Sequence, residues 1–300
     1  MRAVRFDTFG GPGVLRVDDV AEPSTPPDRI RVRVQAAGLN RYDAKRRSGA
    51  EGDVRFPAGN GNEFAGVVDE VGAEVDGLRV GDQVLGRAYF RSQADLVVVP
   101  PGSVVPLPEG LPIEVAGALD AAARTATDLV RFARIGAGDV VLVGAAAGGV
   151  GIVAAQLARR AGATVLGTAS APNADLLDSL QIVPVRYGDG LEGRLRAAAP
   201  DGLTAVLDAA GRGTIEAGLA LGAAADRIVT IADREAAERF GTAHLAQGPA
   251  RNADLAEVAA LVAAGEVVLP IERTYPVEDV VAAYEHLETG HLTGKLVLTF

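Results

Sequence analysis

Residues 140–158 read VVLVGAAAGGVGIVAAQLA, apolar or glycine at every position except Gln156. A run of that length approaches a short membrane span. Its glycines, however, gather at one place, after a β-branched stretch (Val140, Val141, Val143) and before a segment with helical spacing. The stretch therefore reads as a buried strand at 140–143, a tight turn, and a helix over 150–160. Inside the turn, Ala146, Gly148 and Gly151 have the spacing of a dinucleotide fingerprint with alanine in place of the first glycine. Gly148 lets the backbone approach a pyrophosphate, Gly151 lets helix and sheet pack closely, and the helix N-terminus offers N–H groups to the phosphates. A glycine trio alone is weak evidence, because an ordinary strand-to-helix turn also uses glycine. The strand before and the helix after give it weight.

Outward from this turn the alternation continues, with strands at 164–168, 183–186, 205–207 and 227–231 and helices at 174–180 and 215–221. Strands separated by helical crossovers run parallel and form a doubly wound sheet. The first third has a different grammar. Over 29–36, Ile30, Val32, Val34 and Ala36 alternate with Arg29, Arg31, Arg33 and Gln35, and further short strands are expected at 63–71, 83–87 and 96–99. Helical spacing takes over across 114–133, which puts a boundary at 111. From 275 a helix over 277–287 and a strand over 295–299 are expected to return to the first domain. The expectation is an α/β protein with a β-rich domain over 1–111, completed by 275–300, and a nucleotide-binding domain over 112–274.

Composition narrows the partners. The 300 residues are long enough for two domains, and aromatic residues make up only 4%, so aliphatic side chains must fill the cores. A net charge of -10 disfavours nucleic acid and anionic membranes. Without cysteine there is no disulfide, thiolate nucleophile or Cys-based metal site. Asp7 and two glycines interrupt the apolar start, so no signal peptide is expected and Met1 is taken as the mature start; a cytoplasmic location is the expectation, since a reducing cytosol suits a chain without cysteine.

Cofactor choice depends on the end of the next strand, where an NAD enzyme places Asp or Glu for the ribose 2′-hydroxyl. Here Thr168 is followed by Ala169, Ser170, Ala171, Pro172 and Asn173, with no carboxylate before Asp175. This favours NADPH. A pocket that accepts either cofactor is the alternative, since the segment holds no Lys or Arg.

With these residues in view, the chain resembles the quinone oxidoreductase branch of the medium-chain dehydrogenase/reductase superfamily. The resemblance rests on GLNRYD at 38–43, GNEFAGVVDEVG at 61–72, VGDQV at 80–84, AAAGGVG at 145–151, GTAS at 167–170 and GKLVL at 294–298, in the family order. It implies a GroES-like first domain, a Rossmann second domain with the cofactor in the cleft between them, and a homodimer. It further implies cofactor contacts from Thr125, Gly148, Gly149, Val150, Thr168, Ser170, Asn173, Tyr187, Ala210 and Ile231, with Tyr187 beside the adenosine 2′-phosphate.

Two departures matter. The zinc-dependent branch carries Gly-His-Glu where this chain has Gly61, Asn62 and Glu63, and His244, His286 and His291 form no ligand cluster, so no metal is expected. At Lys45 the family often shows a tyrosine facing the nicotinamide, while Tyr42 lies one helical turn away. Asn40, Tyr42 and Lys45 are the candidate catalytic donors and Asn62 the candidate substrate contact. Each has a plainer reading: Asn40 as a helix cap with Asp43, and Lys45 as part of a solvated basic face with Arg41, Arg46 and Arg47. Lys295 reads as structural. The expected activity is hydride transfer from NADPH to a quinone or an α,β-unsaturated carbonyl without zinc. A simple ketone or aldehyde reductase, or an NADPH-binding sensing protein with little turnover, are the alternatives.

Overall fold

The computed structural model describes residues 1–246 and 251–300. The chain forms two units, Met1–Ala121 with Arg251–Phe300, and Ala122–Ala250. In the first, the alternating segment becomes the strand Ile30–Gly38, with Ile30, Val32 and Val34 buried and Arg33 and Gln35 exposed. It pairs antiparallel with Glu63–Val71, Leu96–Val99 and Lys295–Thr299, and Ile271–Pro276, Gln83–Arg87 and Val104–Pro106 complete seven strands. A smaller sheet joins Arg16–Asp19, Arg2–Phe6 and Ala58–Gly59.

Alternation stops at the end of the central strand, where Ala36, Ala37 and Gly38 are all buried. The helix Ile113–Gly117 lies on this part of the strand, and a Cβ on Gly117 would meet Ala36 Cβ at 2.7 Å. The expected helix over 114–133 is thus two helices, Ile113–Gly117 and Asp120–Phe132, because the first is pressed against the sheet of the β-rich unit. The tail also returns earlier than 275. The helix Asn252–Ala263 belongs to the first unit, where Asn252 Nδ2 donates to the Gly102 and Val104 carbonyls at 3.0 and 3.2 Å. A side chain capping a distant loop leaves no mark on local periodicity.

The second unit is a six-stranded, wholly parallel sheet. Its order is Val183–Arg186, Thr164–Ala169, Val140–Gly144, Ala205–Asp208, Ile228–Thr230, Ala243–His244, the 3-2-1-4-5-6 order of a doubly wound fold. Residues 140–158 resolve into the strand Val140–Gly144 and the helix Gly149–Arg160. Among the described residues no helix is long and apolar enough to cross a membrane. At the turn, a Cβ on Gly151 would lie 2.1 Å from the Ala145 carbonyl oxygen, whereas one on Gly148 would meet that oxygen at 3.4 Å, an ordinary contact.

The two glycines therefore do different work, and substitution should separate them. Gly151→Ala is expected to lower stability by roughly 1–3 kcal/mol, the usual cost of overpacking against backbone that cannot yield. Gly148→Ala should leave the melting temperature within about a degree. Thermal unfolding of both variants checks this, and equal losses would show that the backbone relaxes around either methyl group.

Candidate functional site

Parallel strands end together, so loops far apart in sequence gather at the carboxyl edge of the second unit. Gly148, Gly149 and Val150 follow the first strand, Thr168, Ser170 and Asn173 close the second, Tyr187 follows the third, and Ala210 and Ile231 follow the fourth and fifth. Thr125, the remaining expected cofactor contact, is half-buried on the helix Asp120–Phe132. The turn is braced from the neighbouring strand: Ala145 N donates to Thr168 Oγ1 at 3.0 Å and Ala146 N to the Thr168 carbonyl at 2.9 Å. Gly148 stands at the N-cap of the helix and brings no side chain to its first N–H groups. Such an N-terminus is suited to an anion. Asp208, buried by the same edge, accepts hydrogen bonds from Ala210 N, Gly211 N and Thr230 Oγ1, and burial raises its carboxyl above the ordinary value.

A cavity of about 690 Å³ opens beside Ser170, lined also by Arg186, Tyr187, Gly188, Asp189 and Arg194. The two arginines come from outside the segment that follows Thr168. Arg186 pairs in register with Ala169 on the adjacent strand and is exposed. Arg194 is fixed by the loop itself, with Nε on the Arg186 carbonyl at 2.8 Å and Nη1 on that of Asp189 at 2.9 Å. The signal available in sequence was positional: Arg186 ends the strand that must lie next to 164–168.

In the first unit, the short helix Arg41–Ser48 begins at Asn40, which forms a capping box with Asp43. Asn40 N donates to Asp43 Oδ2 at 2.9 Å. The Asn40 amide also has partners from remote strands. Its Nδ2 donates to Glu63 Oε1 at 2.8 Å and its Oδ1 accepts from Lys295 Nζ at 2.6 Å. Lys295 Nζ lies 2.6 Å from the same Glu63 oxygen. Asn62 is likewise engaged at both ends, with Nδ2 on Asp43 Oδ1 and Oδ1 on Phe90 N. Asp43 Oδ2 also accepts from Tyr284 OH at 3.3 Å, and that phenol accepts from Asn60 Nδ2 and Gln93 Nε2 at 2.8 and 2.9 Å. Asn40 and Asn62 therefore belong to one polar network, connected by Asp43, while Glu63 and Lys295 hold the Asn40 amide; the sequence did not mark these three as site residues.

Tyr42 is 38% exposed, its ring 6.1 Å from that of Phe90. Partial burial raises its phenol above the usual value, with Glu51 adding to the effect. Phe90 has φ 62, a left-handed backbone that is strained for an aromatic residue, and the Arg46 guanidinium covers its ring at 3.9 Å. Lys45 does not join this group. It is exposed and lines a separate hollow with Gly10, Gly11, Arg41, Leu287 and Glu288. His286 is held between Tyr275 OH at 2.9 Å and Glu272 at 2.8 Å, and no group of three or more His, Cys, Asp or Glu among the described residues is arranged to hold a metal.

Burial lifts the Asp43 carboxyl to about 7, against the hydrogen bond from Asn40 N and the field of Lys295. A carboxyl raised in the folded state binds its proton there when the unfolded chain has already released it. Stability is then fully present below about 4 and is lost as pH rises towards 7. Asp43→Asn should remove this component. In urea unfolding between pH 4.5 and 8, wild type should lose stability relative to the variant as pH rises, and parallel profiles would rule the assignment out.

The chain matches two family models, the alcohol dehydrogenase GroES-like domain over residues 26–109 and the zinc-binding dehydrogenase over residues 181–298. Over 289 residues it is 36% identical to the spectinabilin polyketide synthase system protein NorB of Streptomyces orinoci, covering 91% of this chain and 13% of that one. It is 30% identical to the 2-methylene-furan-3-one reductase of Solanum lycopersicum, over 99% of this chain and 79% of the relative. Its matches to quinone oxidoreductases, such as that of Pseudomonas aeruginosa, span about half of their length, 53% in that case. Among solved structures, the quinone oxidoreductase from Coxiella burnetii superposes with a TM-score of 0.91 at 32% identity, over 100% of this chain and 99% of the other. A mycobacterial protein solved with NADPH gives 0.88 at 27%, over the whole of both chains. The chain belongs to the quinone oxidoreductase-like branch of the medium-chain dehydrogenase/reductase superfamily.

Proposed function

We propose that this chain is an NADPH-dependent oxidoreductase that reduces a quinone or an α,β-unsaturated carbonyl without zinc. The observation that carries the cofactor half is the carboxyl edge of the parallel sheet. There a glycine turn leads into a helix N-terminus, and the ribose side meets Ser170, Tyr187 and the exposed Arg186. The group fits: Gly148 leaves room for a pyrophosphate, and an arginine suits a 2′-phosphate better than a 2′-hydroxyl. The relative solved with NADPH supports this choice.

When bound, NADPH supplies the hydride. With an enone, the hydride adds to the β-carbon, the π electrons move to the carbonyl oxygen, and a proton returns to the α-carbon. A quinone takes the hydride and a proton to become a hydroquinone. In either case negative charge grows on one oxygen, and a fixed donor there lowers the barrier. Asn40 is the candidate donor. One Nδ2 hydrogen is committed to Glu63, the second is left for a ligand, and the residue is only partly buried. Tyr42 is the candidate for returning the proton. Conjugation provides the electron sink that zinc supplies to alcohol dehydrogenases, and the amide at Asn62 is already engaged by Asp43 and Phe90. The name of the tomato relative, a reductase of a methylene-furanone, is consistent with an enone acceptor. The same reading makes the chain a cytosolic homodimer acting on small molecules, which sedimentation would examine.

Steady oxidation of NADPH with a panel of enones and quinones tests the activity. Binding without turnover across the panel would favour a sensing role. Arg186→Ala should weaken NADPH about tenfold or more and leave NADH nearly unchanged, because a charge-assisted contact to phosphate is lost in one case alone. Titration of both cofactors against both proteins reads this directly. Elemental analysis should find no stoichiometric zinc, and chelators should leave rate and melting temperature as they were.

A further inference from the structure

Glu63 and Lys295 stand at 1% and 7% side-chain exposure, 2.6 Å apart. Burying two charges is costly, and replacing such a pair with apolar groups is often neutral or stabilising, so its presence calls for a reason other than stability. The surrounding chain is shaped around it. Gly38 has no room for a Cβ, which would lie 2.5 Å from Glu63 Oε1. The second Glu63 oxygen accepts from Ala121 N at 2.8 Å. Gly294, with φ 69, brings its backbone so close to Pro270 that a Cβ would lie 2.0 Å from the Pro270 carbonyl oxygen, and Lys295 N then donates to that oxygen at 3.0 Å. Both charges end on the two ends of one amide: Lys295 Nζ on Asn40 Oδ1 and Glu63 Oε1 on Asn40 Nδ2.

We propose that Lys295 and Glu63 are positioning residues that lock the Asn40 amide in one orientation and polarise it as a hydrogen-bond donor to the acceptor oxygen. The inference rests on the reading of Asn40 given above. An isolated asparagine amide can flip and present either its oxygen or its nitrogen. Here a flip would set Nδ2 against the Lys295 ammonium and Oδ1 against the Glu63 carboxylate, two repulsions at hydrogen-bond distance. The cation on Oδ1 draws charge from the amide and strengthens the remaining N–H as a donor. Neither Lys295 nor Glu63 has the exposure to meet a substrate, so their effect passes through Asn40.

The test uses the full chain and four variants assayed together: Asn40→Ala, the neutral double variant Glu63→Gln with Lys295→Met, that double variant in the Asn40→Ala background, and Glu63→Gln with Lys295→Gln. Lys295→Met alone is avoided because it strands a buried carboxylate. The double variant is expected to melt within a few degrees of wild type and to bind NADPH normally. Its kcat should fall about ten- to a hundredfold, the range lost when groups that orient a site are removed. Glu63→Gln with Lys295→Gln, which keeps an N–H for Asn40 Oδ1 without either charge, should recover part of that loss. In the Asn40→Ala background the double substitution should cost nothing further. A double variant within twofold of wild-type kcat, or losses that multiply in the Asn40→Ala background, would overturn the positioning role. Asn40→Ala within twofold of wild type would instead sink the reading of Asn40 itself.

Discussion

A buried charge must meet its partner for the chain around it to close, and the first unit is organised by that constraint. Glu63 lies on the strand Glu63–Val71, Lys295 on the strand Lys295–Thr299, and the strand Ile30–Gly38 between them leads directly to Asn40. The three meet because those strands are neighbours in one sheet. Asp43, one turn into the following helix, extends the network to Asn62 and Tyr284. The core beneath packs Ile30, Val32, Val34, Val68, Val84 and Val97 with the Phe64 ring.

The second unit solves a different problem. All its strands are parallel, so the loops that follow them leave from one edge. Thr168 shows how little freedom remains: its hydroxyl and its carbonyl both hold the turn from Ala145 to Ala146, and Ala145 itself sits at φ 53. The fingerprint alanine at 146 is tolerated for a local reason. Its Cβ is buried against Gly167, where a side chain on the partner would approach it to 2.6 Å. Glycine on one strand and alanine on the turn are thus complementary.

Much of this was legible along the chain. The turn at 145–151 carried its own identity, because a glycine pattern between a strand and a helix is local. So did Asn40 and Asp43, three residues apart, and Asn62, read against a familiar Gly-His-Glu. The rest was hidden by distance. Lys295 and Glu63 are separated by 232 positions and Tyr284 and Asp43 by 241, and no periodicity reports such pairings. Arg186 was missed for a subtler reason. It stands on the next strand of the parallel sheet, at the height of Ala169, so its place beside Ser170 leaves no trace in the segment after Thr168.

Lys45 illustrates the limit of arguing by aligned position. The resemblance sets it where the family often shows a tyrosine, yet side chains three or four apart share a face of a helix. Asp43 and Arg47 turn inward, where Arg47 pairs with Glu288 and lies over the Tyr284 ring. Tyr42 and Arg46 turn towards Phe90. Arg41 and Lys45 line the hollow with Gly10 and Leu287. With the inward face filled by Asp43 and Arg47, the helix cannot rotate to bring Lys45 to Asn62 without pulling a buried carboxyl from its three partners. On the proposed reading the donor is then Tyr42 or the amide at Asn40, polar groups that keep some exposure beside the buried network.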